Sequence, residues 1–296
     1  MPFLKQALDA AKKNFGVPSL QVAKCCYQLA ECYWGLNQQA LSNASAQQAL
    51  SNLQALKPEK LSADSFYLLA SLEARLQRKD ESIRDFTRSL QEYEREPAKD
   101  YPIIANCCKW LAEVLPPASS QAEALLKRRI VILKRIGDLS PADECGMYKT
   151  LSDGYFLNGN FSKEREALQH AVAIVSQLPL HSNERKSQIE NALWLAMADI
   201  RKGDLKEAEK NAFLFKSWVI QEFGPHTYID AQADALLGSI YVDTKRTQQG
   251  QALLLKALEF YRNYKPTARE SAHYEESKQA LIAKLSKAEE KQPSVK

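Results

Sequence analysis

A small residue directly after a leucine returns along this chain at an interval that few folds sustain. Ala30, Ala70, Ala112, Ser152, Ala196 and Gly238 each follow a Leu, and their spacings are 40, 42, 40, 44 and 42 residues. Twelve residues beyond each stand Ser42, Ser82, Ala124, Glu164, Ala208 and Gly250, and seven further on stand Ala49, Ser89, Val131, Ala171, Phe215 and Ala257. A fixed period of this length is the mark of a stacked repeat. The physical reading is a helix hairpin, because two helices approach closely where the facing residues are small. Prolines at 18, 58, 97, 102, 141, 179, 225 and 266 fall between predicted helices, and Pro116-Pro117 falls at the turn inside the third hairpin. Asn158-Gly-Asn and Lys202-Gly-Asp supply the turns of the fourth and fifth.

Composition agrees with an all-helical chain. Ala and Leu number 38 each in 296 residues, against 10 Gly, so helix formers are abundant and hairpin-turn residues scarce. With 45% apolar and 26% charged residues the chain is globular, not disordered. The aliphatic runs are too short to span a bilayer. Lys5 and Asp9 stand where a signal peptide needs an apolar core. A cytoplasmic protein without a membrane partner is expected. The net charge of +4 is spread evenly, with 20 basic against 17 acidic residues in 1–150 and 20 against 19 in 151–296. Lys127-Arg128-Arg129 has no interleaved aromatics to stack bases, so it reads as a solvated helix face and no nucleic acid is expected. Cys25-Cys26 and Cys107-Cys108 are adjacent, which puts their side chains about 100° apart on a helix. The four His are scattered. No metal or cofactor is expected, and the six Cys read as small buried thiols.

The pattern resembles the tetratricopeptide repeat. Leu237-Gly238-Ser-Ile-Tyr241, Gly250 and Leu254-Leu-Lys-Ala257-Leu258 match it best, and Tyr148, Leu151, Tyr155, Gly159, Phe161, Leu168 and Ala171 follow closely. The period near 42 is similar to the longer repeat of kinesin light chains and their bacterial relatives, as are the two Gly-Pro-type links Phe15-Gly16-Val17-Pro18 and Phe223-Gly224-Pro225-His226. The resemblance implies an all-α fold, a right-handed α-solenoid of stacked antiparallel helix hairpins. Repeats are expected at about 20–56, 62–96, 102–137, 143–178, 186–222 and 228–264, in one solenoid over 1–296. Leu4, Ala7 and Leu8 share the register of Leu254, Ala257 and Leu258, so 3–15 reads as the second helix of a preceding repeat whose first helix is absent. Either an upstream region has been removed or this helix is an N-terminal cap. Residues 267–290 read as a C-terminal capping helix with Ala272, Leu281 and Leu285 inward. Glu164 at a small position, and the missing Tyr of the third and fifth repeats, predict irregular packing there.

In such an array the first helix of each hairpin, helix A, lines one surface. Positions three before the anchor and one, four and five after it point away from the core. They give an aromatic N-terminal end of Tyr27, Trp34 and Tyr67, joined by Ser71 and Arg75. A mixed-charge middle follows, with Glu31, Lys109, Glu113, Lys149 and Asp153, next to Phe156. The last part is apolar, with Leu193, Met197, Ile200 and Val242, accompanied by Arg201, Ala235 and Ser239. Each group has two readings. The aromatics pack on neighbouring repeats or meet a ligand, the charges pair with one another or with a partner, and the apolar end is expected to be covered or partly covered by the C-terminal helix, because a large bare patch would be an association liability. Tetratricopeptide domains that clamp a C-terminal carboxylate use Lys and Asn at set positions. The residue after each anchor is never Asn here, so the resemblance does not imply that clamp.

No phosphate-binding glycine loop, nucleophile elbow, zinc-protease motif or paired CxxC is present. No catalytic residue is expected. The leading expectation is a non-enzymatic scaffold that binds a peptide or partner protein in the helix-A groove. The alternatives are a sensory or regulatory module of a larger ATPase or transcription regulator, and an enzyme with an unrecognised site.

Overall fold

The computed structural model describes residues 2–56, 61–96, 100–117, 119–266 and 271–290, with side chains in the last segment placed for 274–286. Pro58, Pro97, residues 267–270 and the Ala272 side chain lie outside the described residues. Every described element is helical. The chain divides into two compact units, Met1–Leu139 and Ser140–Lys296. The boundary is chemical. The helix before it stops at Gly137, whose φ of 71° is left-handed, and the next starts with Ser140 as N-cap and Pro141 in its first turn.

In the first unit α1 (Pro2–Phe15) packs on the hairpin α2 (Leu20–Gly35)/α3 (Gln39–Gln54). Two more hairpins follow, α4 (Ala63–Arg75)/α5 (Lys79–Arg95) and α6 (Tyr101–Val114)/α7 (Ser120–Ile136). The second unit holds α8 (Pro141–Leu157)/α9 (Phe161–Val175), then the short α10 (Asn183–Gln188). After it come α11 (Glu190–Lys202)/α12 (Leu205–Phe223), α13 (Tyr228–Asp243)/α14 (Thr247–Asn263) and the terminal α15 (Ser271–Glu290). Side-chain caps start many of these helices. Ser19, Ser119, Ser140, Ser182 and Thr227 each accept a hydrogen bond from the backbone N–H three residues on.

The predicted anchors are where the helices touch. Ala30, Ala70 and Ala196 are fully buried. Ser42 Oγ donates to the Ala30 carbonyl and Ser82 Oγ to the Ala70 carbonyl, both at 2.9 Å, so the small polar anchors satisfy themselves on the facing backbone. The sixth hairpin is tightest. A Cβ on Gly250 would lie 2.7 Å from the Gly238 carbonyl oxygen and 2.7 Å from Val242 Cγ2, so neither a side chain nor the backbone leaves room for one.

Three register expectations need correction. In the third hairpin Val131 is 66% exposed and Ala124 is exposed, whereas Ala122, Leu126, Ile130 and Leu133 face inward. The turn at Pro116-Pro117 ends α6 two residues after its anchor, and the inward residues of α7 stand two positions earlier than in its counterparts, with Ala122, Leu126 and Ile130 in the places of Ser42, Ala46 and Leu50. In α1 the buried residues are Leu8 and Ala11, while Ala7 is exposed. Val242 does not face away from the core: it is 8% exposed and packs against Gly250.

α10 is tied down by a buried ion pair. Arg185 is 4% exposed, its Nε lies 2.8 Å from Glu222 Oε1 on α12, and its Nη1 donates to the Val175 carbonyl at 3.0 Å. α15 is held on α14 by aromatics. The Tyr274 hydroxyl donates to the Tyr261 carbonyl, and the two rings meet edge-on at 5.5 Å. Tyr274, Leu281 and Leu285 form its buried side.

Candidate functional site

In the first unit the structure brings Glu31, Trp34 and Arg75 together. Arg75 Nη2 pairs with Glu31 Oε1, Nη1 donates to Ser42 Oγ at 3.2 Å, and the guanidinium lies 5.2 Å from the Trp34 ring centre. Tyr27 and Tyr67 stand beside this group. Burial, reinforced by the Glu31 carboxylate, pushes the Tyr27 phenol up to about 12. Tyr67 meets Phe86 edge-on at 5.7 Å, and its phenol is also raised by burial. Lys109 and Glu113 form a loose ion pair of 4.0 Å along α6, and Lys109 Nζ lies 4.7 Å from the Trp110 ring. Burial raises the Glu113 carboxyl, opposed by Lys109 and Arg129.

The second unit repeats the first arrangement in the same register. Arg201, five residues after its anchor like Arg75, lies 4.8 Å from the ring centre of Phe156, four after the preceding anchor like Trp34. It pairs with Glu164, which occupies the position of Ser42. The glutamate at a small position is therefore received by an arginine from the next hairpin. Lys149 pairs with Asp153 along α8 and lies 4.9 Å from the Trp194 ring.

Met197 and Arg201 line a cleft of about 1280 Å³ between α11, α13 and α15. Its apolar wall includes Leu193, Trp194, Ile200, Leu236 and Leu281, and Glu190 and Lys284 stand among its polar residues. The apolar patch expected on α11 is thus flanked by α15, not sealed beneath it. Lys284 on α15 donates to both Asp243 carboxylate oxygens, at 2.7 and 2.8 Å, which fixes that helix at the cleft.

Among the described residues no group of three or more His, Cys, Asp or Glu is placed to hold a metal ion. No helix there is long and apolar enough to cross a membrane. Cys26, Cys107, Cys108 and Cys145 are buried. Burial lifts the Cys107 thiol to about 12 and those of Cys108 and Cys145 to about 11, so they are thiols, not nucleophilic thiolates, at neutral pH.

Among solved structures, the chain is similar to the C-terminal part of a TPR repeat-containing protein from Cytophaga hutchinsonii. The two are 12% identical, the match covers 95% of this chain and 93% of that one, and the TM-score is 0.57. The chain has the tetratricopeptide-repeat fold. The apo form of RapI shows the same fold at 10% identity, covering 97% of this chain and 79% of that one, with a TM-score of 0.56. BtubC (BKLC) from P. vanneervenii is 19% identical over 71% of this chain and 87% of its own, with a TM-score of 0.51. No protein-family model matches the chain, and no curated protein does. At these identities the shared property is the tetratricopeptide architecture.

Sequence reasoning missed Lys24 and Asp64, which pair across the first two hairpins at 3.0 Å. Both stand six residues before their anchors, one turn ahead of the row that gave Tyr27 and Tyr67. Extending that row by a turn finds them.

Proposed function

We propose that this chain is a non-enzymatic protein-interaction scaffold that takes a peptide or partner segment on its helix-A faces. The observation that carries the reading is the cleft between α11, α13 and α15, whose apolar wall and volume of about 1280 Å³ suit a short amphipathic segment. The pairing of the groove charges supports a binding surface over a catalytic one. Arg75 is paired with Glu31, Arg201 with Glu164 and Lys149 with Asp153. Of these, Arg201 lines the cleft with its charge already met by Glu164, which leaves the apolar wall as the main source of affinity there.

The test is a peptide-display selection on the full chain, with dissociation constants of the selected peptides read by fluorescence anisotropy. Met197→Asp puts a charge on the apolar wall and is expected to weaken binding at least tenfold. Val131→Asp, on an exposed site of α7, is expected to change nothing. Peptides that bind Met197→Asp as well as the native chain would falsify the reading, as would a selection that yields no binder.

A further inference from the structure

The first unit contains a second, smaller cavity of about 270 Å³, lined in part by Tyr27, Tyr67, Tyr93, Asp64, Lys24 and Asn106. Its size suits one side chain. Tyr93, on α5, is 4% exposed, and its hydroxyl donates to one oxygen of Asp64, while Lys24 Nζ holds the other at 3.0 Å. The Tyr93 hydrogen bond is the main cause holding the Asp64 carboxyl below its ordinary range, and Lys24 adds to it. A carboxylate held by a tyrosine hydroxyl in a cavity lined by three tyrosines already has a lysine ammonium on it. Ring faces and phenol oxygens attract positive charge, and the carboxylate supplies the counter-ion.

We infer that this cavity is a recognition site for a cationic side chain, lysine or arginine, of a bound polypeptide, and that Lys24 is its intramolecular occupant. Lys24 is 51% exposed and Asp64 46%, so their pair is a solvated one that a ligand cation displaces. The displaced Lys24 side chain moves into water, where its charge is solvated. The inference rests on the scaffold reading for the source of the cation, but the site is separate from the cleft.

The test uses free tripeptides, so it stands apart from the cleft. The full chain, with tyrosine rings isotopically labelled, is titrated with acetyl-Gly-X-Gly-amide, where X is Lys, Arg, norleucine or Glu. The Tyr27 and Tyr67 ring resonances, assigned by Tyr→Phe substitution, are expected to shift saturably with Lys and Arg, at least tenfold more tightly than with norleucine or Glu. Lys24→Met removes the occupant and is expected to tighten Lys and Arg binding severalfold. Asp64→Asn is expected to weaken it at least tenfold, and the Lys24→Met result stands on its own if that variant unfolds. Norleucine shifts equal to those of Lys would overturn the proposal, since the cavity would then be an apolar one. Binding of the Glu peptide that Lys24→Met abolishes would make it an anion site, and the absence of any shift would leave no site at all. None of these failures touches the Met197 result, which tests the scaffold reading alone.

Discussion

Glu73 and Asp199 show how one position is solved in two ways. Each lies three residues after its anchor, where the repeat pattern prefers tyrosine, and each faces the residue fifteen after the same anchor, Asp85 or Asn211. Asp199 is fully buried, accepts from Asn211 Nδ2 at 2.7 Å and pairs with Arg165. Glu73 is 2% exposed and faces a second carboxyl. Burial, then the Asp85 charge, raises Glu73 from 4.5 to about 7, with Arg84 opposing. Between these values the folded chain keeps a proton that the unfolded chain has released. Stability therefore falls as pH rises from 4.5 to about 7 and levels off above. The whole effect is at most about 3 kcal/mol. Glu73→Gln replaces the titrating group with an amide that donates to Asp85, as Asn211 does to Asp199. The variant is expected to have a higher urea midpoint than the native chain at pH 8 and a similar one at pH 5. Parallel pH profiles for the two proteins would show that Glu73 is ionised in the fold.

At the scale of elements, the arginines five residues after an anchor join one hairpin to the next, and their contributions differ with burial. Arg201 neutralises Glu164, whose side chain is 4% exposed, so Arg201→Met leaves a buried charge alone and is expected to cost roughly 3–5 kcal/mol. Arg75 pairs with Glu31, whose side chain is 40% exposed, and Ser42 keeps its bond to the Ala30 carbonyl without it. Arg75→Met is expected to cost about 1 kcal/mol or less. Denaturant unfolding of the two variants separates them, and equal losses would mean that the stacking on Trp34 and Phe156, not the ion pair, dominates. The hairpins themselves were legible because close approach demands a small residue, and that demand recurs wherever two helices cross. The partners of Glu164 and Glu73 were not legible, since which charge arrives from the next hairpin depends on side-chain reach across a repeat. The α7 register was hidden for a related reason: Pro116-Pro117 alters where the chain re-enters the hairpin, and a fixed offset from the anchor cannot express that. Of the candidate groove, Glu31, Trp34 and Arg75 meet as their common face requires. Lys24, Asp64 and Tyr93 escaped because the face was cut off one turn too early and because Tyr93 belongs to a second helix of a hairpin.

For the whole molecule, the described residues of each compact unit form three hairpins, and each unit carries the arginine contact at the same place, between its first and second hairpins. Among the described residues the cleft is lined from α11, α13, α14 and α15, and the smaller cavity from α2, α4, α5 and α6. In a stacked array each hairpin draws its stability from its immediate neighbours, so each site has its supporting elements inside its own unit. Ser140 caps α8 by accepting from the Asp143 N–H, and a fragment that starts there keeps that cap. Residues 1–139 and 140–296, produced separately, are expected to show helical circular dichroism and cooperative melting. The second fragment is expected to bind cleft-directed peptides with a dissociation constant within about threefold of the full chain, and to lose them on Met197→Asp, because rigid, preformed walls carry the affinity. The first is expected to respond to the lysine tripeptide and not to the cleft peptides. An unfolded 140–296 fragment would show that its hairpins need the first unit to fold. A folded fragment that binds at least tenfold more weakly would show that residues before 140 contribute to the cleft.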